Sequence, residues 1–177
     1  MLLKAGVGML KLIFLNTICQ IYILTSKIRI FLMKYTGIKI GKGTSIRGKC
    51  YFDSVNIRIG DNCSINHSCQ FNLGKSKLTI GNNVYVAMNV NFCGVSHEIG
   101  NHKQRAGDNT YKDICIEDGV WIGTDVVLLQ GITIKKGTII AAGSVVTKDI
   151  SENVIVGGNP AKILGYLSPT ADISKKI

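Results

Sequence analysis

The sequence predicts a mainly β fold, a single-stranded parallel β-helix with three flat sides, preceded by an N-terminal helical segment and interrupted by one long protruding loop. Two observations predict it. From Ile116 onward every sixth residue is aliphatic: Ile116, Ile122, Leu128, Ile134, Ile140 and Val146. The same step runs earlier in three triplets that each end in Phe: Ile40, Ile46, Phe52; Ile59, Ile65, Phe71; Ile80, Val86, Phe92. Neither a helix, with a period near 3.6, nor an ordinary strand, with a period of 2, produces such a step.

Taking the elements in order, residues 1–36 form the helical segment. Leu12 to Ser26 carries no charge and lies between Lys4 and Lys11 on one side and Lys27, Arg29 and Lys34 on the other. It is short for a membrane span, which needs about 20 apolar residues, and it has no convincing cleavage site for a secretory signal. Two readings remain: an amphipathic helix packing on the end of the main domain, or a segment lying in a membrane surface with its lysines toward acidic headgroups.

Residues 37–167 form the coiled domain. Glycine follows the aliphatic in Ile40-Gly41, Ile59-Gly60, Ile80-Gly81 and Ile122-Gly123, and Asn, Asp, Gly and Lys fill much of each remaining hexad. Gly and Asn tolerate the positive φ of sharp corners, so each hexad reads as one short strand plus one corner, its aliphatic pointing inward. Irregular spacings after Phe52, Phe71, Phe92 and Val146, the last counted to Ile155, place every insertion at one edge of the prism, where a repeat protein carries its site. The largest insertion is the loop 93–113, with His97 and His102. Residues 168–177 are a C-terminal tail.

The net charge of +10 favours anionic partners. The basic residues are scattered without interleaved aromatics, which argues against nucleic acid. Six cysteines without a C-x-x-C pair read as reduced, buried thiols of a cytoplasmic protein; the inner membrane face is the other location the N-terminus suits.

The stretches G-V-W-I-G-T-D-V-V (Gly119 to Val127), I-I-A-A-G-S-V-V-T-K-D-I (Ile139 to Ile150) and V-G-G-N-P-A-K-I (Val156 to Ile163) resemble the hexapeptide-repeat acetyltransferases. The likeness runs over about residues 37 to 167 and is closest to the maltose, galactoside and nodulation-factor enzymes and the polysaccharide-cluster O-acetyltransferases. It implies a left-handed coil, a homotrimer, acetyl-CoA as acyl donor without a metal, and a sugar or glycan hydroxyl as acceptor, in surface polysaccharide synthesis. The resemblance places a general base on His97 in S-H-E, with Glu98 or a backbone carbonyl orienting its ring. Imidazole is suited to taking the hydroxyl proton near neutral pH. By the same likeness, the Gly123-Thr124 backbone faces the thioester oxygen. Ala142 and Gly143 flank the pantetheine arm, Thr147, Lys148 and Lys162 meet the CoA phosphates, and Asn66 contacts the acceptor; Asn89 and Arg105 are further candidates for binding the acceptor.

The loop lacks the second, closely spaced histidines of the galactoside and maltose enzymes. The carboxylate-bearing helical region of those enzymes is replaced by the apolar, basic segment, which favours a lipid- or nucleotide-linked acceptor over a free sugar. Alternatives on the same coil are a serine or amino-sugar acetyltransferase and a zinc enzyme resembling the γ-class carbonic anhydrases, using His67, His97 and His102. A nonenzymatic solenoid would expose a regular ladder of Thr or charge, and none is present.

Overall fold

The computed structural model describes residues 2–21 and 23–168; the tail expected over 168–177 lies outside them from residue 169. The six-residue step winds the chain into a prism with three parallel walls. The first wall stacks Lys39–Ile40, Ile57–Ile59, Leu78–Ile80, Ile114–Ile116 and Thr133–Ile134. The second stacks Ser45–Ile46, Ser64–Ile65, Tyr85–Val86, Trp121–Ile122, Ile139–Ile140 and Val154–Gly157, and Lys162–Tyr166 closes its edge in antiparallel fashion. The third stacks Tyr51–Phe52, Gln70–Asn72, Asn91–Cys93, Val127–Leu128 and Val145–Val146.

Register follows the predicted period: Ile40 pairs with Ile59, Ile65 with Val86, and Leu128 with Val146. Every aliphatic of the repeat is buried, and the three Phe rings stack at 4.5 and 4.9 Å, nearly parallel. That spacing matches the distance between hydrogen-bonded strands, so the rings repeat the rise of the coil. A second inward position, two residues before each aliphatic, completes the core. It is held by Cys50, Cys63, Cys69, Leu78, Val84, Val90, Ile114, Val120 and Val126, and by Thr44, Thr138 and Ser144. The hydroxyls of those last three donate to backbone carbonyls, which makes their burial tolerable. Cys19, Cys50, Cys63 and Cys69 are buried free thiols, whereas Cys93 and Cys115 are half-buried.

The spacing after Val146 differs from the sequence reading. Ile150 bridges to Ile134 on the first wall and Val156, not Ile155, pairs with Ile140. That corner is therefore shortened, and Ile155 points outward. An aliphatic run such as Val154-Ile155-Val156 has no internal marker of which residue faces the core, so register there depends on pairing.

The helical segment forms α1 (Leu2–Asn16), a 3₁₀ turn (Ile18–Gln20) and α2 (Ser26–Thr36). Thr25 caps α2 through its hydroxyl, and Gly37 ends it at φ 107°. Leu15, Cys19 and Met33 join the prism core, so the packing reading of this segment holds. Four side chains meet the open edge of the first coil. Asn16 exchanges two hydrogen bonds with the Phe52 backbone, Gln20 accepts from Cys50 N, Ser26 accepts from Ile46 N, and Arg29 donates to Ile46 O. An exposed row of strand donors and acceptors invites pairing with other chains; here the helices satisfy it.

Candidate active site

The insertion after Phe92 is an ordered antiparallel ribbon, Val95–Ile99 against Ala106–Tyr111, and not an irregular loop. Its neck closes where Lys112 N donates to Gly94 O at 3.2 Å, and Gly94 N donates to Asn72 O on the third wall. The neck leaves no room beside Gly74: a Cβ there would lie 2.5 Å from the Tyr111 ring. Gln130 Nε2 donates to Thr110 Oγ1 at 2.9 Å, tying the ribbon to the next coil.

His97 lies on the first strand of the ribbon, exposed, opposite Asn109. Its Nδ1 is 2.9 Å from Gly107 O. A carbonyl can only accept, so Nδ1 is the donor in this contact, and in the neutral imidazole Nε2 then carries the lone pair. Of the two orienting partners the sequence left open, the backbone carbonyl makes this contact, and the exposed Glu98 carboxylate makes no hydrogen bond among the described residues. The register shift between His97 and Ile99 brings the Gly107 carbonyl to the ring. Sequence inspection had no means of finding this carbonyl, because it depends on which residue of one strand opposes which of the other.

Gly123, Thr124, Ala142 and Gly143 share one corner, between the second and third walls. Gly123 N–H is committed to Ile140 O at 2.8 Å, whereas Thr124 N–H and Ala142 N–H donate to nothing among the described residues. A Cβ on Gly123 would lie 2.6 Å from Ala142 N, so the two turns nest only with glycine there. Gly143, at φ 71°, has nothing within 4 Å of its Cβ direction and leaves the corner open to a ligand. Thr147 and Lys148 sit at the next corner, between the third and first walls, and Lys162 lies on the C-terminal edge strand paired with Gly157. All three are exposed.

The acceptor candidates are dispersed. Asn66 Oδ1 accepts from His67 N at 2.9 Å and so closes its own corner beside Arg47 and His67, at a corner other than the one the ribbon leaves. Asn89 adopts φ 58° at that same corner and continues a column of left-handed residues with Ser68 and Asp125. Arg105, at the ribbon tip, donates to Gly100 O at 3.3 Å. His67, on the coil, and His97 and His102, on the ribbon, sit on separate elements, and no three His, Cys, Asp or Glu side chains converge among the described residues. Polar side chains that no sequence motif marks stand at the root of the ribbon: Gln70 and Asn91 pair on the third wall, with Asn72 beside Cys93.

Comparison with known proteins identifies the family of the coil. Residues 116–148 match the family model described as bacterial transferase hexapeptide (six repeats). A galactoside O-acetyltransferase of Lactococcus lactis is 30% identical over 152 residues, which span 82% of this chain and 73% of that protein. A hexapeptide-repeat acetyltransferase of Vibrio cholerae, solved with acetyl-CoA, superposes with a TM-score of 0.78 at 31% identity, covering 92% of this chain and 86% of that one. A Schizosaccharomyces pombe protein with a provisional acetyltransferase name is 41% identical over 107 residues, 60% of this chain. The matched part spans about half the length of that protein and of a similar Saccharomyces cerevisiae one, 51% and 55%. By fold, left-handed coil and sequence, the chain belongs to the hexapeptide-repeat acetyltransferases.

Proposed function

We propose that the protein transfers an acetyl group from acetyl-CoA to a hydroxyl of a sugar or glycan, with His97 as general base. The observation that carries this reading is the Nδ1 contact of His97 with Gly107 O, which leaves Nε2 basic and exposed on a ribbon projecting from the coil. In the step, Nε2 takes the proton of the acceptor hydroxyl while its oxygen bonds to the thioester carbonyl carbon. The C–S bond then breaks, and the CoA sulfur leaves with the proton returned from the imidazolium. Negative charge on the carbonyl oxygen needs a fixed donor. The free N–H of Thr124 supports that role better than Gly123, whose N–H is already engaged.

His97 and the Thr124–Ala142 corner lie on opposite sides of the third wall. A site using both is therefore completed by a neighbouring copy, in a homotrimer. The outward row of the second wall supports such contacts: Tyr85, Trp121, Ile139 and Ile155 are stacked there with no charged residue among them. Thr147, Lys148 and Lys162 are assigned to the CoA phosphates and Asn66, Asn89 and Arg105 to the acceptor, and the orienting role beside His97 falls to Gly107 O rather than to Glu98. The L. lactis relative is named for galactoside O-acetylation, which supports a sugar acceptor. Turnover of acetyl-CoA against sugars, nucleotide-sugars and lipid-linked oligosaccharides tests the reading. His97→Ala is expected to lower kcat/KM about 100- to 10,000-fold without changing thermal unfolding. Unchanged turnover removes His97 from the mechanism.

A further inference from the structure

The inner side of the α1–α2 cap seals the coil, but its outer side is not covered by any described residue. Met9, Leu10 and Ile13 are 66%, 66% and 54% exposed, Phe31 and Tyr35 59% and 69%, and Ile23 in the connection 91%. Phe31 and Tyr35 meet edge to face at 5.2 Å. Between the helices runs a groove of about 500 Å³ lined by Leu10, Ile13, Phe14, Ile18 and Tyr35 together with Lys11 and two threonines. Single exposed apolar residues are ordinary on a soluble protein; a contiguous ridge with a groove marks a contact surface.

Charge identifies the partner. No Asp or Glu precedes Asp53, whereas nine Lys and Arg do, and these carry all but one unit of the net +10. Ile28, Phe31 and Tyr35 form one stripe of α2, with the exposed Lys27 and Lys34 beside it. A second copy of the chain would bring like charges together on this face. No described helix is long and apolar enough to cross a membrane, so burial would be in the plane of the interface.

We propose that the outer face of the cap docks the protein on an anionic lipid surface, with Met9, Ile13, Phe31 and Tyr35 among the acyl chains and Lys27 and Lys34 at the headgroup phosphates. The docking is independent of the transferase reading. Together with it, docking places the root of the His97 ribbon close to the bilayer, since Phe92 lies two coil steps beyond Phe52, roughly 10 Å along the axis.

Sedimentation of the full chain with vesicles tests this, comparing phosphatidylcholine alone with phosphatidylcholine mixed with phosphatidylglycerol. The chain is expected to sediment with the anionic vesicles and not with the neutral ones. Lys27→Gln and Lys34→Gln should each lower partitioning about fivefold, and Phe31→Asp at least about tenfold. Oligomeric mass and turnover of a soluble acceptor should be unchanged in all three variants. Absence of binding to anionic vesicles, equal binding to both kinds, or a change in mass in place of a change in partitioning overturns the proposal.

Discussion

Arg29 is the residue on which the junction between cap and coil turns. It is buried, has no carboxylate partner among the described residues, and donates to Cys19 O, Ile21 O and Ile46 O at 2.7, 2.8 and 2.9 Å. Arg29→Met would strand three carbonyls and is expected to cost about 3 kcal/mol in urea unfolding; a loss below about 0.5 kcal/mol would mean the carbonyls find other donors. Asn89 is a second discriminating position. Its left-handed φ of 58° predicts that Asn89→Gly keeps stability while Asn89→Ala loses about 1 kcal/mol. If Asn89 also touches the acceptor, both variants raise KM; if it only shapes the corner, neither does. Burial pushes the Cys19 thiol up to about 11. The unfolded chain then loses this proton first, so the associated stability is intact below about pH 8.5, the ordinary thiol range. It declines as pH rises toward 11. Urea midpoints across that window should fall less steeply for Cys19→Ala than for the parent chain.

At the scale of elements, the ribbon is separable from the coil that carries it. The Gly94–Lys112 neck closes the coil by itself, and the strands on either side, Asn91–Cys93 and Ile114–Ile116, keep their own partners on the walls. Replacing residues 97–109 with a short glycine-containing turn, which keeps Thr110 and Tyr111 on the coil, is expected to preserve the far-ultraviolet circular dichroism and the melting transition while abolishing acetyl transfer. Cooperative unfolding lost with the ribbon would show that it braces the coil. The place of this element was legible in the sequence, because the hexad pattern stops at Phe92 and resumes by Ile116. Its strand pairing was not, since His97, Glu98 and Arg105 lie among polar residues with no core face to set a period.

For the whole molecule, the split between the His97 ribbon and the Thr124–Ala142 corner predicts that activity requires association. Trp121→Glu on the outward second wall should lower the mass seen by light scattering from three chains of 19.2 kDa to one, and abolish turnover although His97 is untouched. A fully active monomer would overturn the shared-site arrangement. The sequence by itself determined the three-walled coil, because side chains that must fill one column recur at the length of a wall, and that periodicity is written along the chain. It also determined which corner bears the ribbon. Only the tertiary structure decided the second inward position that Cys50, Cys63 and Cys69 share with Val84, Val90 and Val126, the register at Val156, the Gly107 carbonyl that orients His97, and the two-faced cap. Each of these depends on which distant residue a group meets across a hydrogen-bonded pairing or a packed edge, and a linear pattern fixes the spacing of residues without naming their partners.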